Sequence, residues 1–419
     1  MFGKKIYYGW YIVAASLLII ILDGLLLYSF GVFLPYINDE FGFTRTEGSA
    51  LFSFRSIIAA PGFIIAGRLI DKYDPRVVIF GGGLLAAVGM ILSGFAQNTW
   101  QLILFYSVFV GLGDTVLYIT CVAVVSRWFT KKRAFAIGII TTGVPLSGLL
   151  TNPLTASLIN NLGLRPAFIA LGIIMVLALL AAFVMRGYPK DLGLLPYGEE
   201  DNGNKENDDK AGVQNSKNQD WTALEAISTP FYWIMYFMFV FAFITFLIIV
   251  TQFYNFEIDL KISALAAAGP PAAIGLGSII GRTILTSLLS EVLDYKKVLF
   301  VCLVAQGSSI FILLSFDKIW AFYLFGLLFG FFYSACIPIF PTILARFFGL
   351  KAMGTIYGIF GTAYSIAAIG APLLAGYVFD ITGSYYYPFL FAILCAYLAA
   401  AAALFLKQPT KKPVQIETE

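Results

Sequence analysis

Long apolar stretches separated by short polar segments dominate the hydrophobic pattern of this chain. Two clear examples are "YYGWYIVAASLLIIILDGLLLYSFGVFL" (7–34) and "FYWIMYFMFVFAFITFLIIV" (231–250). Both are longer than the ~18 residues that mark a candidate membrane-spanning helix. The two-residue alternation of a membrane β-barrel strand is absent. The pattern therefore predicts a polytopic, all-α membrane protein.

Turn residues and charges divide the chain into about twelve predicted helices. They form two groups, residues 1–186 and 229–406, which predicts two six-helix bundles. A polar linker joins the groups at 187–228, and the second half of its stretch 187–220 is predicted to be disordered. A tail follows at 407–419. The predicted helices cover residues 8–34, 45–70, 76–96, 99–128, 133–160, 166–186, 229–254, 263–290, 296–316, 319–347, 353–379 and 385–406.

Lysine and arginine are concentrated on one predicted side of the membrane. They lie at both termini and in every even-numbered connection, including 71–76, 127–133 and 346–351. Because basic connections stay in the cytoplasm, both termini, the linker and the tail are predicted to be cytoplasmic. The first apolar stretch is too long for a signal peptide and no A-x-A site follows it, so no cleavage is expected. These features predict a multi-pass protein of the inner (plasma) membrane.

The two halves of the chain repeat each other. "RWFTKKRAFAIGI" (127–139) aligns with "RFFGLKAMGTIYGI" (346–359), and Pro153 aligns with Pro372. Parallel repeats of six helices are typical of transporters whose two bundles move against each other around a site at their interface. The repeat therefore predicts a functional site between the bundles.

Composition supports membrane insertion and limits the chemistry. Hydrophobic residues make up 59% of the chain and charged residues 12%, with a net charge of +3. The chain has no histidine, and its four cysteines lie in apolar stretches without metal-ligand spacing, so no metal or cofactor is expected. Neither a nucleophile–base pair nor a metal cluster is recognisable at a membrane face, which argues against an enzyme. The cysteines are Cys121, Cys302, Cys336 and Cys395.

The stretch "GRLIDKYDPRVV" (67–78) connects the second and third predicted helices. It resembles the major facilitator superfamily signature G-x-L-x-D-[RK]-x-G-[RK]. In this interpretation Gly67 permits close helix approach, and Asp71 accepts hydrogen bonds from a neighbouring helix N-terminus to hold a cytoplasmic gate shut. The residues that carry the match are Gly67, Arg68, Asp71, Lys72 and Arg76.

Two features depart from that signature. Asp74 stands where the family has glycine. In the second half the equivalent stretch "SLLSEVLDYKK" (287–297) is degraded, although Glu291 occupies the acid position. The signature indicates the fold and a gate, and it carries no information about the substrate.

Further stretches resemble a narrower family. They are "YYGWYIVAAS" (7–16), "RWFTKKRAFAIGIITTGVPLSG" (127–148), "PKDLGLLPYG" (189–198) and "GAPLLAGYVFDITGSYYYPF" (370–389). Together they look like the monocarboxylate transporter family, in its bacterial branch near the oxalate/formate exchangers. The resemblance covers nearly the whole chain apart from the linker and the tail. It implies transport of small monocarboxylates such as lactate or pyruvate, commonly with a proton.

Arg282 is the charged residue that the predicted eighth helix has to accommodate. No Asp or Glu lies within eight residues on either side of it. At ~1.5 Å per residue it lies about 14 Å from Glu291, near the middle of a ~30 Å hydrocarbon core. A lipid-facing arginine there costs at least ~2.5 kcal/mol, so Arg282 is expected to face the cavity and bind a carboxylate through its fork. The family's substrate arginine also falls here, whereas a fixed ion pair with a distant acid is the alternative.

The sequence lacks the proton-relay pair of the animal family members. Ser278 replaces an aspartate one turn before the arginine, and Tyr28 replaces a first-helix lysine. Asp23, Arg55 and Asp114 lie within a turn or two of mid-membrane, so they are candidates for a network that either clamps the first bundle or carries a proton. Asp23 is the leading proton carrier. On an ideal helix Asp23 and Tyr28 are about 140° apart, so they need not share one face.

Aromatic and small polar residues at mid-helix are expected to shape a substrate pocket. A tyrosine hydroxyl can donate to a carboxylate while its ring packs against a methyl group. Ordinary helix packing is the alternative for each of them. The candidates besides Tyr28 are Tyr118, Tyr333, Cys336 and Tyr364.

These observations predict an alternating-access transporter of small monocarboxylates, with proton symport as the expected coupling. Anion exchange of the oxalate/formate type is the first alternative. The missing first-helix lysine argues against a doubly charged substrate, although Arg55 can supply a second charge if it faces the cavity. A membrane sensor that does not transport is an alternative from another class.

Overall fold

The computed structural model describes residues 7–43, 45–199, 221–262, 269–289, 294–407 and 409. Within them the long helices follow the predicted order and are numbered here along the chain. The first bundle contains α1 Tyr8–Phe41, α2 Arg45–Lys72, α3 Pro75–Ser93, α4 Thr99–Trp128, α5 Arg133–Leu162 and α6 Leu164–Ala182. The second contains α7 Pro230–Asp259, α8 Gly269–Leu289, α9 Tyr295–Ser315, α10 Ile319–Phe348, α11 Met353–Thr382 and α12 Tyr386–Leu404.

Eleven helices in the described part of the chain are long and apolar enough to cross a membrane. The remaining long helix is α8, which has 21 residues and carries Arg282. The prediction of an all-α, multi-pass membrane protein is therefore confirmed. Helix α1 runs to Phe41, about two turns beyond the predicted end at residue 34. Gly42 ends it in the left-handed conformation (φ 67°).

The two bundles contact each other mainly through α2 with α11 and through α5 with α8 and α10. Glycines allow the close approach of α2 and α11. A Cβ atom on Gly354 would lie 2.6 Å from the carbonyl oxygen of Gly67, and one on Gly358 would overlap the carbonyl oxygen of Phe63. Only a residue without a side chain fits at such distances.

The first part of the linker folds back onto the connection between α4 and α5. The Tyr197 N–H donates to the Trp128 carbonyl at 2.9 Å, and the Thr130 N–H donates to the Tyr197 carbonyl at 3.2 Å. The Tyr7 hydroxyl donates to the Leu195 carbonyl at 2.8 Å, which brings the start of α1 to the same place. The second half of the stretch 187–220, predicted to be disordered, lies within 200–220, outside the described residues.

Candidate functional site

A cavity of about 490 Å³ lies between the two bundles. Helices α1, α2, α4 and α5 line it from one side, and α7, α8, α10 and α11 line it from the other. Phenylalanine, leucine and valine side chains form much of the wall. The polar and charged residues on it include Asp23, Tyr28, Asp114, Tyr118, Ser278, Arg282, Tyr333 and Tyr364.

Arg282 reaches this cavity because a neighbouring face of α8 is packed against α10. A Cβ atom on Gly277 or Gly281 would overlap the backbone of α10, at Leu327 and Phe331 respectively. This packing fixes the rotation of α8 and turns Ser278 and Arg282 toward the cavity. Arg282 is buried, with 4% of its surface exposed.

The Arg282 guanidinium donates a hydrogen bond across the bundle interface to the Thr141 carbonyl of α5. Pro145, four residues after Thr141, has no N–H and cannot complete the helical hydrogen bond to that carbonyl. The proline thereby leaves Thr141 able to accept from Arg282. The guanidinium also interacts electrostatically with Tyr28, Tyr118 and Tyr333.

The predicted tyrosines line the cavity, whereas Cys336 does not. Tyr333 stacks on Phe246 with ring centroids 4.0 Å apart, and Tyr364 packs edge-on against Phe243 at 5.3 Å. Cys336 is buried and interacts with Cys302 of α9. Cys336 lies one residue from Ile337, which does line the cavity, and takes part in the packing between α9 and α10. Its role as a substrate contact stays a prediction.

Three charged residues of the first bundle meet beside the cavity. Arg55 forms an ion pair with Asp114 and donates to the Leu26 carbonyl at 3.2 Å. Asp23 interacts electrostatically with both Asp114 and Arg55. Asp23 and Asp114 line the cavity, and Arg55 is 3% exposed. Because the cavity wraps around α1, Asp23 and Tyr28 both face it despite their angular separation.

The signature motif lies at the end of the bundles that we call the gate end, marked by Asp71, Arg127 and Gly354. The Asp71 carboxylate accepts from the backbone N–H groups of Gly354 at 2.9 Å and Thr355 at 2.6 Å, at the start of α11. A carboxylate at a helix N-terminus is favourable because it faces unsatisfied N–H groups and the positive end of the helix dipole.

Arg127 of α4 completes the gate-end cluster and was not among the predicted site residues. It pairs with Asp71 at 2.8 Å, and its guanidinium lies 4.8 Å from the centroid of the Tyr188 ring. The sequence contained a signal for it, because Arg127 and Arg346 occupy matching positions in the internal repeat.

The other motif residues lie around this cluster. Arg68 and Lys72 are exposed, and the Lys72 ammonium lies 5.5 Å from the Tyr73 ring. Asp74, at the position where the signature has glycine, caps α3 by accepting from the Arg76 N–H at 2.8 Å. Glu291 lies outside the described residues.

Glu257, near the end of α7, is a second residue that the sequence did not single out. Its side chain is fully buried, and neither carboxyl oxygen has a hydrogen-bond partner among the described residues. Burial raises the pKa of Glu257 to about 8. It continues the helical face on which Phe246, Val250 and Phe253 line the cavity.

The chain belongs to the Major Facilitator Superfamily, whose family model matches residues 16–290 and 272–419. It is similar to monocarboxylate transporter 12 of Rattus norvegicus (23% identity over 95% of this chain and 85% of that protein). The oxalate:formate antiporter of Oxalobacter formigenes is 24% identical over 98% of this chain and 94% of its own length. The predicted resemblance to the superfamily and to monocarboxylate transporters is confirmed.

Two further comparisons agree with this placement. The probable sulfoacetate transporter SauU of Cupriavidus necator is 26% identical over 89% of this chain and 87% of that protein. The crystal structure of the human organic anion transporter MFSD10 matches with a TM-score of 0.71 at 14% identity, covering 95% of this chain and 99% of that one. The structural match supports the fold.

Proposed function

We propose that this protein is a secondary active transporter, not an enzyme, that carries small monocarboxylates of the lactate or pyruvate kind by alternating access. Proton symport is the proposed coupling, and the inner (plasma) membrane with cytoplasmic termini is the proposed location. The observation that carries the proposal is Arg282, a buried guanidinium facing a cavity between two bundles. Buried charges in membrane-spanning helices commonly mark substrate pathways.

The chemistry of the cavity suits a small organic anion. A guanidinium binds a carboxylate through two parallel hydrogen bonds, and neighbouring tyrosine hydroxyls can donate further ones. The aromatic wall fits the short apolar part of such a molecule. The relatives are named for monocarboxylates, for oxalate and formate, and for sulfoacetate, all of which are small organic anions.

The contact between Arg282 and Thr141 suggests how binding leads to movement. Arg282 belongs to the second bundle and the Thr141 carbonyl to the first, so their hydrogen bond joins the bundles. A substrate carboxylate is a stronger acceptor than a carbonyl and is expected to take over the guanidinium. The bundles then lose one connection beside the cavity, which favours reorientation of the loaded carrier.

Uptake into vesicles containing the purified protein tests the proposal. Labelled lactate or pyruvate should accumulate with wild type, fall severely with Arg282→Lys, which keeps the charge but loses the fork, and disappear with Arg282→Ala. Arg165→Ala is the control, because Arg165 forms an exposed pair with Glu40. Near-normal uptake by well-folded Arg282→Ala protein would overturn the assignment, and absence of uptake by wild type would favour a sensor.

Anion exchange of the oxalate/formate type is the second candidate. Arg55 is a second buried arginine, but it is paired with Asp114 and is not among the residues that line the cavity. Arg282 is the arginine that lines the cavity in the described part of the chain, which suits one carboxylate better than two. Uptake that is independent of a proton gradient but increases when the vesicles contain oxalate or formate would identify an exchanger.

A further inference from the structure

The group of charged residues beside the cavity in the first bundle contains two acids and only one base. Asp23 and Asp114 can each carry one negative charge, whereas Arg55 carries one positive charge and forms its ion pair with Asp114. Asp23 is 5% exposed and interacts with both other residues. If both acids are ionised, the group has one uncompensated negative charge at a buried position, which is costly in a membrane-spanning bundle.

A second observation concerns the hydrogen bonding of the Asp23 carboxyl. Its Oδ1 atom is fully buried and has no hydrogen-bond partner among the described residues. The same side chain lines the cavity, so a ligand in the cavity can reach it. A buried carboxyl oxygen without a donor is satisfied most simply when the carboxyl binds a proton.

We infer that Asp23 and Asp114 together bind one proton that travels with the substrate, and that Arg55 holds the second carboxylate ionised. This inference rests on the transport function proposed above. Two carboxylates beside a single guanidinium share one proton because that guanidinium neutralises only one of them. The proton carrier is therefore the acid pair, and Arg55 is a positioning residue.

The surroundings favour a proton over a metal cation. No group of three or more His, Cys, Asp or Glu residues that could hold a metal occurs in the described part of the chain. Hard metal cations take about six oxygen ligands, and a guanidinium bound to one of two carboxylates opposes a further fixed cation.

The other titratable groups that interact with this trio come from α4 and α11. Tyr106 interacts with Arg55 and Asp114, Cys121 with Asp23, and Tyr364 with Arg55 and Asp114. Helix α5 contributes the uncharged Ser147 beside Gly24. On α6, Arg165 is paired with the exposed Glu40.

Tyr118 connects the acid pair with the anion site. It interacts electrostatically with both Arg282 and Asp23 and lines the same cavity as they do. When both acids are ionised and no substrate is bound, Arg282 balances the one negative charge that Arg55 leaves uncompensated. A bound monocarboxylate removes this balance because it adds one negative charge. One proton on the acid pair restores neutrality, and a neutral, loaded cavity can reorient at the lowest electrostatic cost.

The test compares substrate binding with coupled transport. Binding of lactate to purified protein is measured between pH 5.5 and pH 8.5 by the shift of the melting temperature, and accumulation is measured in vesicles with an imposed inward proton gradient. In wild type, lactate should bind about tenfold more tightly at the lower pH because substrate and proton stabilise each other. Asp23→Asn should lose most of this pH dependence together with most of the accumulation driven by the gradient.

Further variants separate a failed inference from a failed function or a folding defect. Asp23→Glu keeps a titratable carboxyl and should retain both responses, whereas Asp114→Asn should lose them as Asp23→Asn does. Asp317→Asn, in the exposed connection before α10, should behave as wild type. The inference is overturned if a folded Asp23→Asn protein keeps the pH dependence and proton drive of wild type, or if a sodium gradient alone drives accumulation. If uptake still depends on Arg282 in those outcomes, the proposed transport function is retained and only the inference about the acid pair fails.

Discussion

Asp71 of α2 accepts a hydrogen bond of 2.6 Å from the backbone N–H of Thr355, in the first turn of α11. The contact joins the two bundles at the gate end, and Arg127 holds the same carboxylate from α4. In the alternating-access cycle that we propose, this contact breaks once per cycle. We therefore propose that the gate is a set of hydrogen bonds made in one state of the carrier and absent in the other.

The close approach of α2 and α11 gives the first prediction. A Cβ atom on Gly67 would overlap the Gly354 carbonyl, so Gly67→Ala should prevent full closure at the gate end. We expect lactate uptake to fall about tenfold or more, equivalent to ~1.4 kcal/mol. Gly81→Ala is the matched control, because nothing lies within 4 Å of a Cβ atom there. Equal uptake by the two variants would contradict this role of Gly67.

Pro145 gives the second prediction. Pro145→Ala supplies an N–H to the Thr141 carbonyl, which then competes with Arg282 for that acceptor. The substrate displaces a weaker hydrogen bond, so KM for lactate should fall about three- to tenfold, given that hydrogen bonds to charged groups contribute ~1.5–3 kcal/mol. Pro153→Ala, at an exposed position of the same helix, should leave KM unchanged. An unchanged or higher KM in Pro145→Ala would argue against the displacement.

The third prediction concerns the tyrosine hydroxyls near Arg282. Tyr333→Phe keeps the ring that stacks on Phe246 and removes the hydroxyl that interacts with Arg282. The expected result is a two- to tenfold rise in KM, because one hydrogen bond is worth ~0.5–1.5 kcal/mol. Tyr232→Phe serves as the control, since the Tyr232 hydroxyl donates to the Ile356 carbonyl and lies outside the cavity lining. A similar KM in both variants would remove Tyr333 from the site.

The buried ion pair of the first bundle gives the fourth prediction. Arg55→Ala leaves Asp114 without its partner, and breaking such a pair costs about 3–5 kcal/mol. The melting temperature should fall, and the double variant Arg55→Ala with Asp114→Ala should recover part of the loss. Arg165→Ala removes an exposed pair and should change stability by less than ~1 kcal/mol. A double variant no more stable than the worse single variant would show that the pair contributes little.

Glu257 gives the fifth prediction, on pH. Burial raises the pKa of Glu257 to about 8 from its ordinary value of 4.5, so the folded protein retains this proton over a pH range where the unfolded chain has lost it. The stabilisation is complete below about pH 4.5 and is lost as pH rises through about 8. The melting temperature of wild type should therefore fall between pH 5 and pH 8.5. Glu257→Gln should flatten the pH dependence of the melting temperature. If the variant keeps the wild-type slope, the pH dependence comes from other groups.

Much of the architecture was predictable because the segments that cross the membrane can be recognised from the hydropathy of the sequence. Hydropathy sets the length of each spanning segment, and a backbone in lipid has to satisfy its own hydrogen bonds. The helix order and the membrane class followed from that pattern and are confirmed. The predicted end of α1, at residue 34, was about two turns too early, because the polar stretch before Gly42 remains helical to Phe41.

The burial of charges was also predictable, whereas their partners were not. A charged residue at mid-membrane has to avoid lipid, so Asp23, Arg55, Asp114 and Arg282 were recognisable from the sequence. Which carboxylate Arg55 pairs with depends on the rotation of α2 against α4. The sequence placed Asp114 and Asp23 at a common depth but did not decide which of them pairs with Arg55, which in the structure is Asp114.

The sequence by itself determined that this is a helical membrane protein of the major facilitator type, with a glycine–aspartate motif at the end of α2 and an arginine near the middle of α8. The tertiary structure decided that Arg127 joins Asp71, that Cys336 packs toward α9, that Glu257 is buried, and that Asp23 and Tyr28 share one cavity. The physical reason is that helical periodicity fixes which residues share a face of one helix, whereas the direction of that face depends on packing against its neighbours. Gly277 and Gly281 show this for α8, because their close contact with the backbone of α10 turns Arg282 into the cavity.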